Sequence, residues 1–266
     1  MTQLQGSWVL ILGVSSGFGA ATAREFARAG YHIAGVHLDR RATMPDVEAV
    51  KSEIQSFGVE AQFFNINAAD ADKRRAVIAE LSSIMSARGE MGCMRVLVHS
   101  LAFGALRPFI GEAVETITPQ QMDMTLDVMA NSLVYWTQDV VNAELMGEGG
   151  RIYALTSAGG RRVWPNYGAV SAAKAALESH IRQLALELSP LEITANAIQA
   201  GVTDTPALRK IPGNQRMIKH AIQLNPHGRL TQPEDVAKAM VALSVPETGW
   251  MTGNVIRVDG GEDIIG

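Results

Sequence analysis

The sequence predicts an α/β fold: a single domain built on a doubly wound parallel sheet of about seven strands, with helices on both faces. Three observations predict it. Short apolar runs alternate with longer helical patterns along the whole chain of 266 residues. The runs are apolar on both faces, as a parallel sheet sandwiched between helices requires. The first run leads directly into a glycine-rich turn and a helix, the start of a strand–helix–strand unit.

The candidate strands are WVLIL at 8–12, HIAGVHL at 32–38, AQFFNI at 61–66, MRVLVH at 94–99, RIYALT at 151–156, ITANAI at 193–198 and NVIRV at 254–258. Helical patterns lie near 17–30, 70–88, 118–146, 169–188 and 232–244. No linker, repeat or low-complexity tract divides the chain, so residues 1–266 read as one domain. An irregular insert at 204–226 sits between a strand and the last helix, where a substrate lid could be placed.

Composition narrows the function. The chain is 47% hydrophobic with net charge −4, and no stretch is dense in Lys and Arg, which argues against nucleic acid as a partner. Its one cysteine, Cys93, rules out an internal disulfide and fits a reducing compartment. The N-terminal segment lacks a positive region and its apolar run is short, so neither a signal peptide nor a membrane span is expected. A soluble cytoplasmic protein is the expectation.

The turn after the first run is GVSSGFG, with Gly13, Gly17 and Gly19 framing Ser15, Ser16 and Phe18. Glycines there let the backbone turn tightly and approach a pyrophosphate, while the helix N-terminus offers free N–H groups and a positive dipole. This is the dinucleotide-binding turn of a Rossmann-type sheet. Cofactor choice depends on the end of the second strand, VHLDRR. His37 holds the strand-end position, followed by Asp39, Arg40 and Arg41. Two guanidiniums can bind a phosphate in fork geometry, which favours NADPH over NADH. The alternative is that the arginines are solvated and Asp39 takes the ribose. Asn65 and Ile66, on the third strand, are placed to flank the adenine.

The segment PNYGAVSAAK at 165–174 contains one tyrosine and one lysine, Tyr167 and Lys174, seven positions apart. That is two helical turns, about 10.5 Å along the axis. A spacing of four would put them one turn apart, but the residue four before the lysine is Val170, which has no proton to give.

Gly13-x-x-x-Gly17-x-Gly19, Ser157, Lys174, AGVTDT at 200–205 and VDGG at 258–261 together resemble the short-chain dehydrogenase/reductase superfamily, over essentially the whole chain. Most of that superfamily places its tyrosine four residues before the lysine. Tyr167-x6-Lys174 and VHSLAFG at 98–104 are instead similar to the bacterial enoyl-[acyl-carrier-protein] reductase branch. The short Gly13–Gly17 gap and DTPALRKIPGNQ are similar to its NADPH-dependent subtype of bacilli.

The resemblance implies reduction of a trans-2-enoyl thioester in fatty-acid biosynthesis. Tyr167 would stabilise the enolate, and Lys174 would bind the nicotinamide ribose. Ser157 would donate to the thioester oxygen or position water, or only cap its strand. Ser100, Leu101, Ala102, Gly201, Val202 and Thr205 would contact the cofactor, with Val202 holding the carboxamide through its backbone. Phe103, Trp164 and Leu208 are candidates for an acyl pocket, together with Leu101, Ile211, Met217 and Ile222. Relatives often carry an asparagine where Met129 stands; Asn131, two residues on and about 200° round a helix, cannot substitute. Arg209, Lys210, Arg216 and Lys219 could meet an acidic acyl carrier protein, and a homotetramer is implied. The alternatives are a carbonyl or enoyl-CoA reductase of the same superfamily, or a cofactor-binding scaffold without catalysis.

Overall fold

The structure is a computed structural model describing residues 6–112 and 115–265. Residues 1–5, part of the segment read for a leader, lie outside the described residues. Seven strands form one parallel sheet in the order β3-β2-β1-β4-β5-β6-β7. They are β1 (Trp8–Leu12), β2 (His32–His37), β3 (Ala61–Asn65), β4 (Met94–His99), β5 (Arg151–Ser157), β6 (Thr194–Ala200) and β7 (Val255–Val258). The five central strands are almost wholly buried, while β7, at the edge, is half exposed. That is why their sequence runs lack the alternation of a one-sided strand.

Helices cover both faces. One layer holds α1 (Gly17–Arg28), α2 (Met44–Ser56) and α8 (Pro233–Ala242), whose Phe26, Val50, Ile54, Val236 and Met240 pack on Val9, Ile11 and Ile33 of the sheet. The other holds α3 (Ala71–Arg88), α5 (Ser132–Asn142) and α6 (Gly168–Glu187), where Leu81, Leu133, Trp136, Leu177 and Ile181 pack on Leu10, Leu97 and Ile152. Strand order reverses between β1 and β4, and the crevice beyond their C-terminal ends is where this architecture places ligands.

Three elements depart from the sequence reading. The helical patterns named from sequence do not include α2, whose buried positions Val47, Val50 and Ile54 are only one narrow stripe among charged residues. The single pattern at 118–146 is broken. Thr118 and Gln121 form a capping box at the start of α4 (Pro119–Leu126), and a π-turn at Asp127–Asn131 separates α4 from α5. Extra-wide turns of this kind recur at functional sites. The irregular insert contains α7 (Asn214–Leu224), which buries only Ala221 and begins after Gly213 in the left-handed region at φ 79°.

The segment after β4 is pressed against this second layer. A Cβ at Gly104 would lie within 2.9 Å of Thr125, Met129 and Val170 side chains, so these three elements close on bare backbone. Ala105 N–H donates to Thr125 Oγ1 at 2.9 Å and fixes the same approach. Gly104→Ala is expected to destabilise the fold by about 1–3 kcal/mol through overpacking; chemical denaturation measures it, and an unchanged midpoint would contradict this packing.

Candidate active site

The glycine turn brings bare backbone close to the end of β4 and opens a helix. Gly13 lies in the left-handed region at φ 92°, and a Cβ there would come 2.5 Å from Ser100 O. A Cβ on Gly19 would collide with Gly13 O. Gly17, at φ 52°, opens α1. Ser16 caps the helix without a side-chain bond to the first turn, leaving those N–H groups available to an anion. Ser15 and Phe18 are half-buried beside it. The backbone approach and the open helix terminus fit a dinucleotide pyrophosphate.

At the end of β2 the arrangement differs from the NADPH expectation. His37 is buried, and its Nδ1 lies 3.1 Å from Asp39 Oδ2, so it orients Asp39 from beneath. Thr43 Oγ1 donates to Asp39 Oδ1 at 2.8 Å. Asn65 accepts from Asp39 N–H and donates to Asp39 O, both at 3.0 Å, so its amide clamps the loop. Ile66 N–H donates to His37 O at 2.8 Å, and its side chain packs on the core. Burial would raise the Asp39 carboxyl, but bonds from Ser15, Thr43 and His37 outweigh it and hold the group below its ordinary range. An ionised carboxylate beside Ser15 of the glycine turn opposes a 2′-phosphate and suits ribose hydroxyls. Arg40 and Arg41 are exposed.

The other end of the crevice is a cavity of about 490 Å³. Its walls include Phe18, Ser100, Leu101, Ala102, Phe103, Ser157, Trp164, Tyr167, Lys174, Gly201, Val202, Thr205 and Leu208. Ile211 and Met217 also line it; Ile222 does not, and is exposed on α7. Trp164 Nε1 donates to Pro212 O at 3.3 Å, tying the β5–α6 loop to the 208–213 turn.

Lys174 is buried on the inner face of α6, and its Nζ donates to Leu155 O at 2.6 Å. Desolvation lowers its pKa to about 8, partly offset by the Glu178 carboxylate. Tyr167 stands at the N-terminal mouth of α6, after Asn166 in the left-handed region at φ 63°. Burial raises the Tyr167 phenol, and Ser157 lowers it by a lesser amount. Desolvation therefore decides the direction, and the phenol keeps its proton. Ser157 Oγ also accepts from Gly159 N–H at 3.2 Å, so the strand-cap role and proximity to Tyr167 coexist. Val170 is buried against the Gly104 backbone.

Val202 N–H donates to the Glu262 carboxylate at 3.1 Å, and Thr203, one residue on, is buried in the same wall. Arg209 pairs with both oxygens of Asp204, at 2.8 and 3.0 Å, on an exposed stretch. Glu262 and His220 also line the cavity and were missed, since each lies in a short turn or an amphipathic helix without a motif. Asn131 Oδ1 lies 3.1 Å from His180 Nε2, turned to α6 rather than to the cavity, as the 200° offset anticipates.

Because the lysine pKa is depressed in the folded protein, its ammonium is present below about pH 8 and lost above it. Dinucleotide affinity is expected to hold at neutral pH and weaken as pH rises through that value. Lys174→Met should remove this limb in a titration followed by cofactor fluorescence; a wild-type affinity flat from neutral pH to 10 would contradict it.

The family model for enoyl-(acyl carrier protein) reductase matches residues 13–262. The enoyl-[acyl-carrier-protein] reductase [NADH] FabI of Aquifex aeolicus is 29% identical over 268 residues, covering 100% of this chain and 94% of the relative. The FabI of Nostoc sp. is 34% identical over 185 residues, 70% of each chain. The crystal structure of the Aquifex aeolicus enzyme superposes with a TM-score of 0.82 at 28% identity, covering 99% of both chains.

Proposed function

The chain belongs to the enoyl-(acyl carrier protein) reductase family of the short-chain dehydrogenases/reductases and is an NAD(P)H-dependent oxidoreductase, and on that premise we propose that it reduces the C=C bond of a trans-2-enoyl thioester carried by acyl carrier protein, in fatty-acid biosynthesis. The observation that carries the reading is the position of Tyr167. It stands at the cavity wall two turns before Lys174, and apolar Val170 fills the place one turn before the lysine.

A bound nicotinamide supplies a hydride, which goes to the β-carbon of the enoyl group. Negative charge then collects on the thioester oxygen, two bonds beyond the α-carbon. A donor serving that oxygen must stand further along the cavity than one serving a ketone at the hydride-accepting carbon. Tyr167, kept protonated by burial, donates to the oxygen and stabilises the enolate. Lys174 binds ribose hydroxyls and adds positive potential. Ser157 orients the Tyr167 hydroxyl. Phe103, Trp164 and Leu208 contact the acyl chain, and α7 with the turn before it serves as the lid.

Asp39, ionised beside the glycine turn, supports NADH in place of the NADPH suggested by Arg40 and Arg41. Arg209, Lys210, Arg216 and Lys219, all exposed, with Lys210 at the cavity wall, are the candidates to meet the carrier's acidic helix. The family resemblance implies a homotetramer, and Trp250, 98% exposed before the half-exposed edge strand β7, is a residue such an assembly would cover. No described helix is long and apolar enough to cross a membrane; we place the enzyme in the cytoplasm.

The test follows cofactor oxidation with crotonyl and acetoacetyl thioesters, each on CoA and on carrier protein. Turnover of crotonyl thioester is expected, and oxidation with the acetoacetyl substrates alone would sink the reading. Tyr167→Phe should lower kcat on the crotonyl substrate by about 10²–10³. Asp39→Ala should raise the NADPH-to-NADH ratio of kcat/KM by about tenfold; a ratio that stays put would remove Asp39 from cofactor choice.

A further inference from the structure

The mouth of α6 places the backbone of Tyr167, but not its ring. Tyr167 N–H donates to Trp164 O at 3.1 Å, and its carbonyl accepts from Ser171 N–H at 2.8 Å. Neither bond reaches the phenol. The ring is placed by packing contacts, and one of them is with a residue that has no side chain.

Gly159 lies in the short turn Ala158–Gly160 that follows β5, and it lines the cavity. A Cβ there would stand 2.6 Å from Tyr167 Cε1 and 3.3 Å from Cδ1. Carbon atoms in contact lie about 3.5–4.0 Å apart, so the ring edge takes up the space of a side chain. Backbone conformation is not the reason for a glycine here, because Gly159 is not in the left-handed region. The turn is anchored to the sheet. Gly159 N–H donates to Ser157 Oγ at 3.2 Å, and Ser157 pairs with Ala200 of β6, one residue before Gly201 of the cavity wall. Tyr167 in turn packs on the core of the second layer. Gly160, next in the turn, provides a contrast: a Cβ there would meet Lys174 Cβ and Glu178 Oε1 at 3.4 Å, an ordinary contact.

We infer that Gly159 is a positioning residue: its bare backbone is a slot that receives the ring edge of Tyr167 and holds the phenol at its place along the cavity, beside Ser157. This rests on reading Tyr167 as the donor to the thioester oxygen. A methyl group in the slot pushes the ring outward by about 1 Å, the shortfall between 2.6 Å and a carbon contact. A misplacement of that size costs on the order of 10²-fold in rate.

The test uses the full-length enzyme and crotonyl thioester. Gly159→Ala is expected to lower kcat by roughly 10²-fold while leaving dinucleotide affinity unchanged. Gly160→Ala, the same change in the same turn without the clash, should stay within about twofold of wild type. In a Tyr167→Phe background, where no hydroxyl is left to misplace, Gly159→Ala should cost no more than about threefold. A wild-type kcat in Gly159→Ala overturns the inference. So does an equal loss in Gly160→Ala, or a loss that multiplies fully with Tyr167→Phe, since either marks general damage to the turn. The ring is also read directly. The chain has four tyrosines, and in ¹³C-tyrosine spectra the signal missing from Tyr167→Phe identifies Tyr167. Gly159→Ala should shift that ring signal and leave those of Tyr31 and Tyr153 in place; an unmoved Tyr167 signal overturns the slot. If Gly159→Ala does not fold, Gly159→Ala combined with Tyr167→Leu, which removes the ring edge, should fold, and its failure overturns the slot as well. A wild type inactive on crotonyl thioester would defeat the functional reading instead, and the spectra would still decide the slot.

Discussion

The site depends on one buried ammonium. Lys174 is held inside the contact between α6 and the sheet, with its Nζ on the carbonyl of Leu155 and Glu178 one turn on. Removing an ammonium from water is costly unless it is hydrogen-bonded and balanced, so α6 cannot slide or roll on the sheet without uncovering or unpairing the charge. Everything else on that helix follows. Ala173 and Leu177 are committed to the core, Val170 to the Gly104 backbone, and Tyr167 to the helix mouth.

The short segment after β4 has to meet that helix. Gly104 lets the chain approach Thr125, Met129 and Val170 at once, and a side chain there would separate them. The π-turn makes the same approach possible from the other side, by directing Met129 at the cavity and Asn131 at His180. A tyrosine in the place of Val170 would press on the Gly104 backbone. The two-turn spacing of Tyr167 and Lys174 is thus built into how three elements pack, and is not an isolated exchange of one residue.

The sheet was legible because its five central strands are buried on both faces and read as largely apolar runs, and β1 to β6 fall within about two residues of those runs. The glycine cradle was legible because only glycine fits where Gly13 meets Ser100 O and Gly19 meets Gly13 O. Helices with little burial were not. α2 shows one three-residue stripe, and α7, though amphipathic, buries Ala221 alone and sits inside a segment read as irregular. The residues at 37–41 were read by type, but their roles depend on direction. His37 turns inward, Asp39 is held by three side chains, and the arginines point to solvent. No sequence pattern reports that Val202 N–H is taken by Glu262, sixty residues away.

Burial acts on the two site residues in opposite senses. It raises the phenol of Tyr167 and lowers the ammonium of Lys174, because in each case the charged form loses solvation. A ketone reductase gains from a phenol made acidic by a lysine one turn away, since the developing alkoxide takes the proton as it forms. An enolate oxygen is less basic than an alkoxide, and stabilising it calls for a donor that keeps its proton until the α-carbon is protonated. A neutral phenol set two turns from the lysine meets that requirement, and a closer lysine would work against it. In the proposed reaction the spacing sets where Tyr167 stands along the cavity, and burial keeps its phenol protonated there.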